Sequence, residues 1–217
     1  MYNPATFRED RVEVMHELIR AHPLALLVTH GGGGLAASPV PFLVYPDEGA
    51  NGTLRAHVAR ANPHWKELSA ADEALVVFQG AAGYVTPSWY ATKATTHKVV
   101  PTWNYATVHA WGRPAVVDDA GWLARQLADL TRCQEQRRPR PWAVADAPAD
   151  FIATQMKAIV GIEIPIARLE GKWKMSQNRS DADRQGVIDG LAAGATPDAA
   201  AVHALMSGGK PGGPGRA

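Results

Sequence analysis

The stretch RAHVARANPHW, Arg55 to Trp65, carries residue types that bind anions. Arg55 to Ala59 alternate loosely, as a strand does. Asn62-Pro63 then reads as a helix N-cap followed by proline at the first helical position, where a missing amide hydrogen costs nothing. A strand that ends in Arg60 and passes into a capped helix gathers a guanidinium and unpaired backbone amides in one place, which makes a workable phosphate site. Capped junctions beside an arginine also occur where no phosphate binds, so the stretch gains weight only in combination with other parts of the chain.

Two regions nearer the C-terminus supply what a phosphate-bearing aromatic cofactor would also need. YVTPSWY (Tyr84 to Tyr90) and VPTWNY (Val100 to Tyr105) are aromatic and proline-rich, and GKWKMSQNR (Gly171 to Arg179) sets Lys172, Lys174 and Arg179 beside Ser176, Gln177 and Asn178. A flat ring with a phosphate tail requires apolar walls, polar groups at the ring edges and cations at the tail. Trp111 and Trp122 read as core residues; Trp89 and Trp103, flanked by prolines and polar groups, suit core or ligand equally.

Other chemistries fit less well. His57, His64, His97 and His109 lack metal-ligand spacing and partner cysteines, so no metal site is expected. Ser88 and Ser176 lie outside any Gly-x-Ser-x-Gly pattern. The aromatic segments could stack nucleobases, but a net charge of +1 gives no general attraction to nucleic acid. Arg137-Arg138-Pro139-Arg140 is a short, proline-broken basic run and reads as a solvated linker. The single cysteine, Cys133, rules out an intrachain disulfide framework and fits a reducing compartment. MYNPATFRED lacks a signal-peptide pattern, and no apolar run approaches the roughly 20 residues of a membrane span. The expected location is the cytoplasm.

The elements that must position these groups can be read from periodicity. Thr6 to Glu9 matches a capping box opening an amphipathic helix to about Ala21. Leu24 to Thr29 is a compact apolar run expected to be a strand covered on both faces. Gly31 to Gly34 forms a hairpin connection, and no Gly-Lys-Ser/Thr comes after it to make it a phosphate loop. Leu35 to Tyr45 continues as a second strand, whose prolines within ASPVPF imply an edge or bulge. Thr53 to Val58 is a third strand, and a helix runs from about Pro63 to Ala70. Ala74 to Gly80 and, after a turn at Gly80, Ala82 to Thr86 extend the sheet.

Pro87 to Pro101 is a long irregular segment, of the kind that carries function. Thr102 to Val117 is strand, and Asp118 or Asp119 caps a helix with Trp122, Leu123, Leu127 and Leu130 on its apolar side. After a proline-rich connector come a helix around Phe151 to Met156, a last strand from Val160 to Leu169 and a polar loop from Gly171 to Arg179. Two short helices and a glycine-rich tail, expected to be disordered from Gly208, close the chain. The pattern is mainly β with peripheral helices: an antiparallel barrel at 1–180, a helical extension at 181–207 and a tail at 208–217.

Taken together, MYNPATF, HVARANPHW, YVTPSWY, VPTWNYATVHAWG, QMKAIVGIEIPI and EGKWKMSQNR resemble the PaiB family of FMN-binding negative transcriptional regulators, in order from Met1 to about Gly190. The resemblance implies a flavin-binding split β-barrel, similar to the pyridoxamine phosphate oxidase superfamily, with FMN in grooves where two subunits of a homodimer pair. It makes the strand from Ser38 to Phe42, with Ser38, Val40 and Pro41, a flanker of the isoalloxazine ring. His57, Arg60 and Asn62 become candidates for the phosphate and ribityl end. Trp103, Asn104, Lys172, Trp173, Lys174 and Gln177 become candidates for closing the site, from the same subunit or from its partner. The expected function is that of a PaiB-type regulator; an FMN-dependent oxidoreductase, or a split barrel holding haem, is the alternative. DNA binding has no evident motif behind it, since the C-terminal helices around Val187 and Ala199 are alanine-rich with little Lys or Arg.

Overall fold

The computed structural model describes residues 1–194 and 196–208, so the expected disordered tail lies, beyond Gly208, outside the described residues. In chain order the elements are β1 (Arg8–Glu9), α1 (Val12–Ala21), β2 (Leu24–Gly31), β3 (Gly34–Pro41), β4 (Leu43–Tyr45), β5 (Thr53–Ala59), α2 (His64–Leu68), β6 (Ala74–Val85), α3 (Thr92–Thr96), β7 (Thr102–Gly112), β8 (Ala115–Val117), α4 (Ala120–Glu135), α5 (Ala149–Lys157), β9 (Ile159–Pro165), β10 (Arg168–Lys174), α6 (Asp181–Ala192) and α7 (Pro197–Met206). Short 3-10 turns lie at Ala5–Phe7, Pro87–Trp89 and Val144–Asp146. The chain forms two compact units: Met1–His22, Phe78–His109 and the described residues from Leu169 onward make one, and Pro23–Val77 with Ala110–Arg168 make the other.

In the unit that begins at Pro23, β2 and β3 are an antiparallel hairpin in register from Leu24↔Pro41 to Gly31↔Gly34. Only Gly32 and Gly33 lie between the last paired residues, and Gly34 sits at φ 98°, which L side chains avoid. β3 is an edge strand, as its prolines require. The expected single strand to Tyr45 is broken at Phe42, whose side chain is buried and whose amide donates to the Pro23 carbonyl at 2.8 Å. β2 is not covered on both faces: Ala25, Leu27 and Thr29 are buried while Leu24 and Leu26 are exposed, the alternation of a strand with one core face.

The second sheet of this unit runs β4-β5-β9-β8, all antiparallel, and buries Leu54, Ala56, Ile162 and Ile164 completely. Helix α4 meets β5 and β9 through a polar seam. Asp119 caps the helix by accepting from the Trp122 amide at 2.6 Å. The Trp122 ring fits over Gly161, where an added Cβ would collide with it. Arg55 donates to Glu163 at 2.6 Å and with both terminal nitrogens to Glu48, and its guanidinium stacks 4.4 Å from the Tyr45 ring centre. Tyr45 in turn donates to Asp129 of α4 at 2.7 Å.

In the other unit the strands run β1-β10-β7-β6. No turn falls at Gly80: β6 is continuous, and its glycine serves close packing, since a Cβ there would lie 3.0 Å from Leu18 and 3.2 Å from the Ala106 carbonyl. Gly171 makes the same allowance for Met15 of α1 at 2.8 Å. The capping box does not form: α1 starts at Val12, and the Glu9 carboxylate takes the Arg11 guanidinium at 2.6 and 2.8 Å instead. The expected last strand is two strands, with Ile166 and Ala167 at the bend donating to the Gly52 and Trp111 carbonyls. Lys172, Trp173 and Lys174 therefore lie on β10, whereas the sequence suggested a loop.

The C-terminal helices dock on this unit. Trp89 is half-buried and packs on the glycine face of α6, where a Cβ at Gly190 would overlap its indole and one at Gly186 its carbonyl oxygen. Asp183 accepts from the Thr92 amide at 2.8 Å and its hydroxyl at 2.7 Å, which holds the carboxyl below its usual range. Val187, Leu191, Val202 and Met206 are buried. Among the described residues no helix is long and apolar enough to cross a membrane.

Two measurements test this packing. Gly186→Ala gains about 1 kcal/mol of helix propensity. The clash is with backbone that no rotamer can relieve, and overpacking costs about 1–3 kcal/mol. The variant should therefore unfold at lower urea concentration with an unchanged slope; equal or greater stability would show that Trp89 is not seated there. In the polar seam, burial and then Asp129 push the Tyr45 phenol up to about 12, against about 10 in an unfolded chain. The seam's stabilisation is complete below about pH 10 and is lost as the pH rises toward about 12. Tyr45→Phe should flatten the fall in melting temperature between about pH 9.5 and about pH 11.5, and identical profiles for the two proteins would refute the assignment.

Candidate functional site

Three polar side chains meet in the unit that begins at Pro23. His64, at the start of α2 and only 5% exposed, lies between two hydroxyls: Nδ1 is 2.8 Å from Ser38 Oγ of β3 and Nε2 is 2.8 Å from Thr29 Oγ1 of β2. The hairpin register pairs Thr29 with Ala36, so Ser38 is the diagonal neighbour of Thr29 on the same face. Diagonal neighbours sit roughly 7–8 Å apart, a gap that an imidazole bonded at both nitrogens spans. Asn62 accepts from the His64 amide at 3.0 Å, but the helix begins one residue later than expected, so that Pro63 and not Asn62 holds the cap position. Burial depresses the His64 pKa, with Glu67 opposing, so the ring is neutral at neutral pH. Ser38 is half-buried, Val40 is in the core, and Pro41 is half-buried.

Arg60 is fully engaged within the chain. It donates to both oxygens of Asp118, at 2.6 and 3.0 Å, and to the carbonyls of Lys157 and Ile159. The pairing raises its pKa and lowers that of Asp118. His57 sits on the face of β5 that meets α4, with Nδ1 2.8 Å from Gln126 Oε1. Gln126 is 1% exposed and its Nε2 has no hydrogen-bond partner among the described residues, a buried donor held beside an imidazole.

The second group of residues belongs to the unit with β10. Lys172 is buried, donates to the Tyr2 carbonyl at 2.9 Å and lies 5.4 Å from the ring centres of both Tyr2 and Tyr105. Lys174 bonds to the Thr102 hydroxyl and the Trp103 carbonyl. Burial first, then Lys172 and Arg179, hold its pKa below the usual lysine range. Among the described residues neither lysine pairs with a carboxylate. Trp103 is 56% exposed and meets the exposed Tyr84 edge to face at 6.0 Å.

Behind them, Asn104 is completely buried and spends its amide on Ser176 Oγ and Met206 Sδ. Ser176 holds φ 62°, a left-handed conformation that costs a non-glycine residue free energy and that the Asn104 bond fixes. Gln177 closes the bend after β10 by accepting from the Met175 amide and donating to the Trp173 carbonyl.

Sequence reasoning left His64, Thr29 and Gln126 out of the site. The signal for Thr29 was a hydroxyl in register with the buried Ala25 and Leu27, and for Gln126 an amide three residues from Leu123 on the apolar side of α4. No cluster of three or more metal-ligating side chains occurs among the described residues. Each unit holds groups of the kind a phosphorylated flavin needs: in the unit with β10, cations without countercharges among the described residues and an exposed aromatic pair; in the unit that begins at Pro23, hydroxyl, imidazole and amide groups able to meet a ring edge.

Comparison with known proteins agrees. A family model described as "Putative FMN-binding domain" matches residues 1–168. An uncharacterised protein of Aspergillus fumigatus is 37% identical, over 88% of this chain and 90% of its own. Protease synthase and sporulation protein PAI 2 of Bacillus subtilis is 29% identical, over 95% and 96%. Among solved structures, the flavocytochrome Anf3 of Azotobacter vinelandii superposes with TM-score 0.56 at 18% identity over 77% of this chain and 69% of that one. The FAD and heme binding protein of Mycobacterium smegmatis superposes with TM-score 0.55 at 17% identity over 87% and 80%. The fold is thus the open antiparallel split barrel of flavin-binding proteins. The chain belongs to the FMN-binding domain family that its motifs resemble, and FMN is the cofactor of that family.

Proposed function

We propose that the chain is a homodimeric FMN protein of the PaiB type, acting in the cytoplasm as a negative regulator of transcription. The observation that carries the cofactor role is the pair Lys172 and Lys174, half-buried to buried on one strand with no carboxylate among the described residues to neutralise them. Two like charges so placed, one of them with a depressed pKa, favour an anionic ligand. Such a ligand is the phosphate-bearing cofactor of the family.

In this reading each unit supplies its own candidates. In the unit with β10, Lys174 and Lys172 take the charge of a phosphate tail, with Trp103 beside them. In the unit that begins at Pro23, Ser38, Val40 and Pro41 are offered to a flavin ring, and His57, with Gln126 behind it, and the Arg60–Asn62 junction to the phosphate and ribityl end, with Arg60 exchanging part of its contact with Asp118. Asn104, Ser176, Trp173 and Gln177 hold the bend that presents Lys174. When bound, FMN supplies reversible electron and proton uptake.

The regulatory half of the proposal rests on the family and on the likeness to the sporulation protein of Bacillus subtilis. The C-terminal helices α6 and α7 carry a single Lys or Arg, Arg184, which donates to the Met206 carbonyl, so they offer little positive charge to a DNA backbone. Regulation then passes through the flavin-loaded dimer and the partners it meets.

Freshly purified protein should be yellow, release FMN on denaturation, and scatter light as twice its 23.2 kDa chain mass. Lys174→Ala should weaken FMN about tenfold, ~1.4 kcal/mol, as expected for loss of a charge-assisted contact. A colourless protein that fails to bind added FMN would refute the cofactor role; unchanged affinity in the variant would remove Lys174 from the tail.

A further inference from the structure

The Thr29–His64–Ser38 chain has a property that packing alone does not need: each of its bonds can run in either direction. A neutral imidazole has one N–H donor and one acceptor nitrogen, and each hydroxyl can donate or accept. In one arrangement Nε2–H donates to Thr29 and Ser38 donates to Nδ1, which leaves the Ser38 oxygen as an acceptor toward anything beyond it. In the other, Thr29 donates to Nε2 and Nδ1–H donates to Ser38, which frees the Ser38 hydroxyl to donate outward. Both carry the same three protons, one on each hydroxyl and one on the ring. The two arrangements therefore have equal charge and passing between them needs no oxidant; the ring proton leaves one nitrogen and is replaced at the other by exchange with water.

We propose that Thr29, His64 and Ser38 form a reversible hydrogen-bond relay, through which Ser38 serves as donor or acceptor to a ligand ring atom whose own role switches between acceptor and donor with redox state. The proposal rests on the flavin reading of the site for the identity of that ligand, and on the geometry for the relay. His64 is shielded from solvent, its two bonds are both 2.8 Å, and Ser38 is the half-exposed end. The depressed His64 pKa keeps the ring neutral, which a reversible relay requires; a protonated ring would donate at both nitrogens. Thr29 and His64 are positioning residues, acting through Ser38.

Thr29→Val is the informative variant, since it keeps shape and removes only the far hydroxyl. A buried Nε2–H without a partner costs more than an unprotonated Nε2, so the ring settles with its proton on Nδ1 and Ser38 is fixed as an outward donor. With FMN bound, the oxidised ring, an acceptor, should gain about tenfold over the reduced ring, which shifts the midpoint potential about 30 mV negative for a two-electron couple. Ser38→Ala should abolish the difference, so that the double variant matches Ser38→Ala alone.

Imidazole nitrogen-15 shifts of the flavin-free protein test the relay without the cofactor. In the parent both His64 nitrogens should show averaged values, and in Thr29→Val the pattern should collapse to Nδ1–H. A single fixed tautomer in the parent that Thr29→Val leaves unchanged overturns the relay whatever the flavin does. A shift of less than about threefold in relative affinity with FMN bound also overturns it. Averaged nitrogen shifts in a protein that binds no FMN would support the relay and sink the cofactor reading alone.

Discussion

The register of the β2–β3 hairpin is the constraint on which the site depends. A strand's side chains alternate faces, so a slip of one residue would carry either Thr29 or Ser38 off the face they share. The turn prevents the slip: Gly31 pairs with Gly34, two glycines close the loop, and the positive φ at Gly34 fits a residue without a Cβ. The inner face then presents Ala25, Leu27 and Thr29 in line, and the buried apolar members fix the position of the polar one. His64 opens a helix only a few residues long, and its amide is held by the Asn62 side chain just ahead of the Pro63 cap. The histidine is thus placed by two local devices, a glycine turn and an asparagine side chain bonded to its amide, at positions 26 and 35 residues from its partners.

Much of this was legible in the sequence, where local rules and tertiary packing agreed. The glycine hairpin, the edge character of the proline-bearing strand, the Asn62-Pro63 junction, the Asp119 cap and the two C-terminal helices all arise from backbone chemistry that acts within a few residues. What failed were places where a distant partner decided the outcome. Thr6 and Glu9 have the spacing of a capping box, yet pairing of Arg8 and Glu9 with Lys172 and Gly171 claimed that backbone for a strand. Gly80 has the composition of a turn, but its bare Cα is what lets Leu18 and the Ala106 carbonyl approach β6. Trp89 stood between core and ligand because nothing nearby shows that two glycines one helical turn apart, Gly186 and Gly190, would receive it.

The candidate site was legible in kind more than in membership. Residue types suited to a phosphorylated ring were visible in three segments, but side-chain roles depend on which partner each group finds. Arg60 is the clearest case. As a lone arginine beside a helix start it reads as a phosphate ligand, but Asp118, 58 residues away, takes both terminal nitrogens, and two carbonyls take the rest of its reach. That ion pair is exposed, 37% and 63% for its two side chains, so it is weak and can be exchanged. Asn104 differs: it is buried, its amide is satisfied by Ser176 and Met206, and it contributes by holding the loop behind Lys174.

The distribution of compensated and uncompensated charge separates structural cations from those available to a ligand. Arg55 has two carboxylates and an aromatic ring, and its seam ties α4 to the sheet that carries His57. Among the described residues Lys172 and Lys174 meet carbonyls, a hydroxyl and aromatic faces, groups that lower the cost of burying an ammonium without cancelling its charge. A phosphate placed beside them gains from both while disturbing no existing ion pair, whereas the same phosphate at Arg55 would have to displace Glu48 and Glu163. In the proposed reading, competition of this kind, more than the count of basic residues, selects the cations offered to an anionic cofactor.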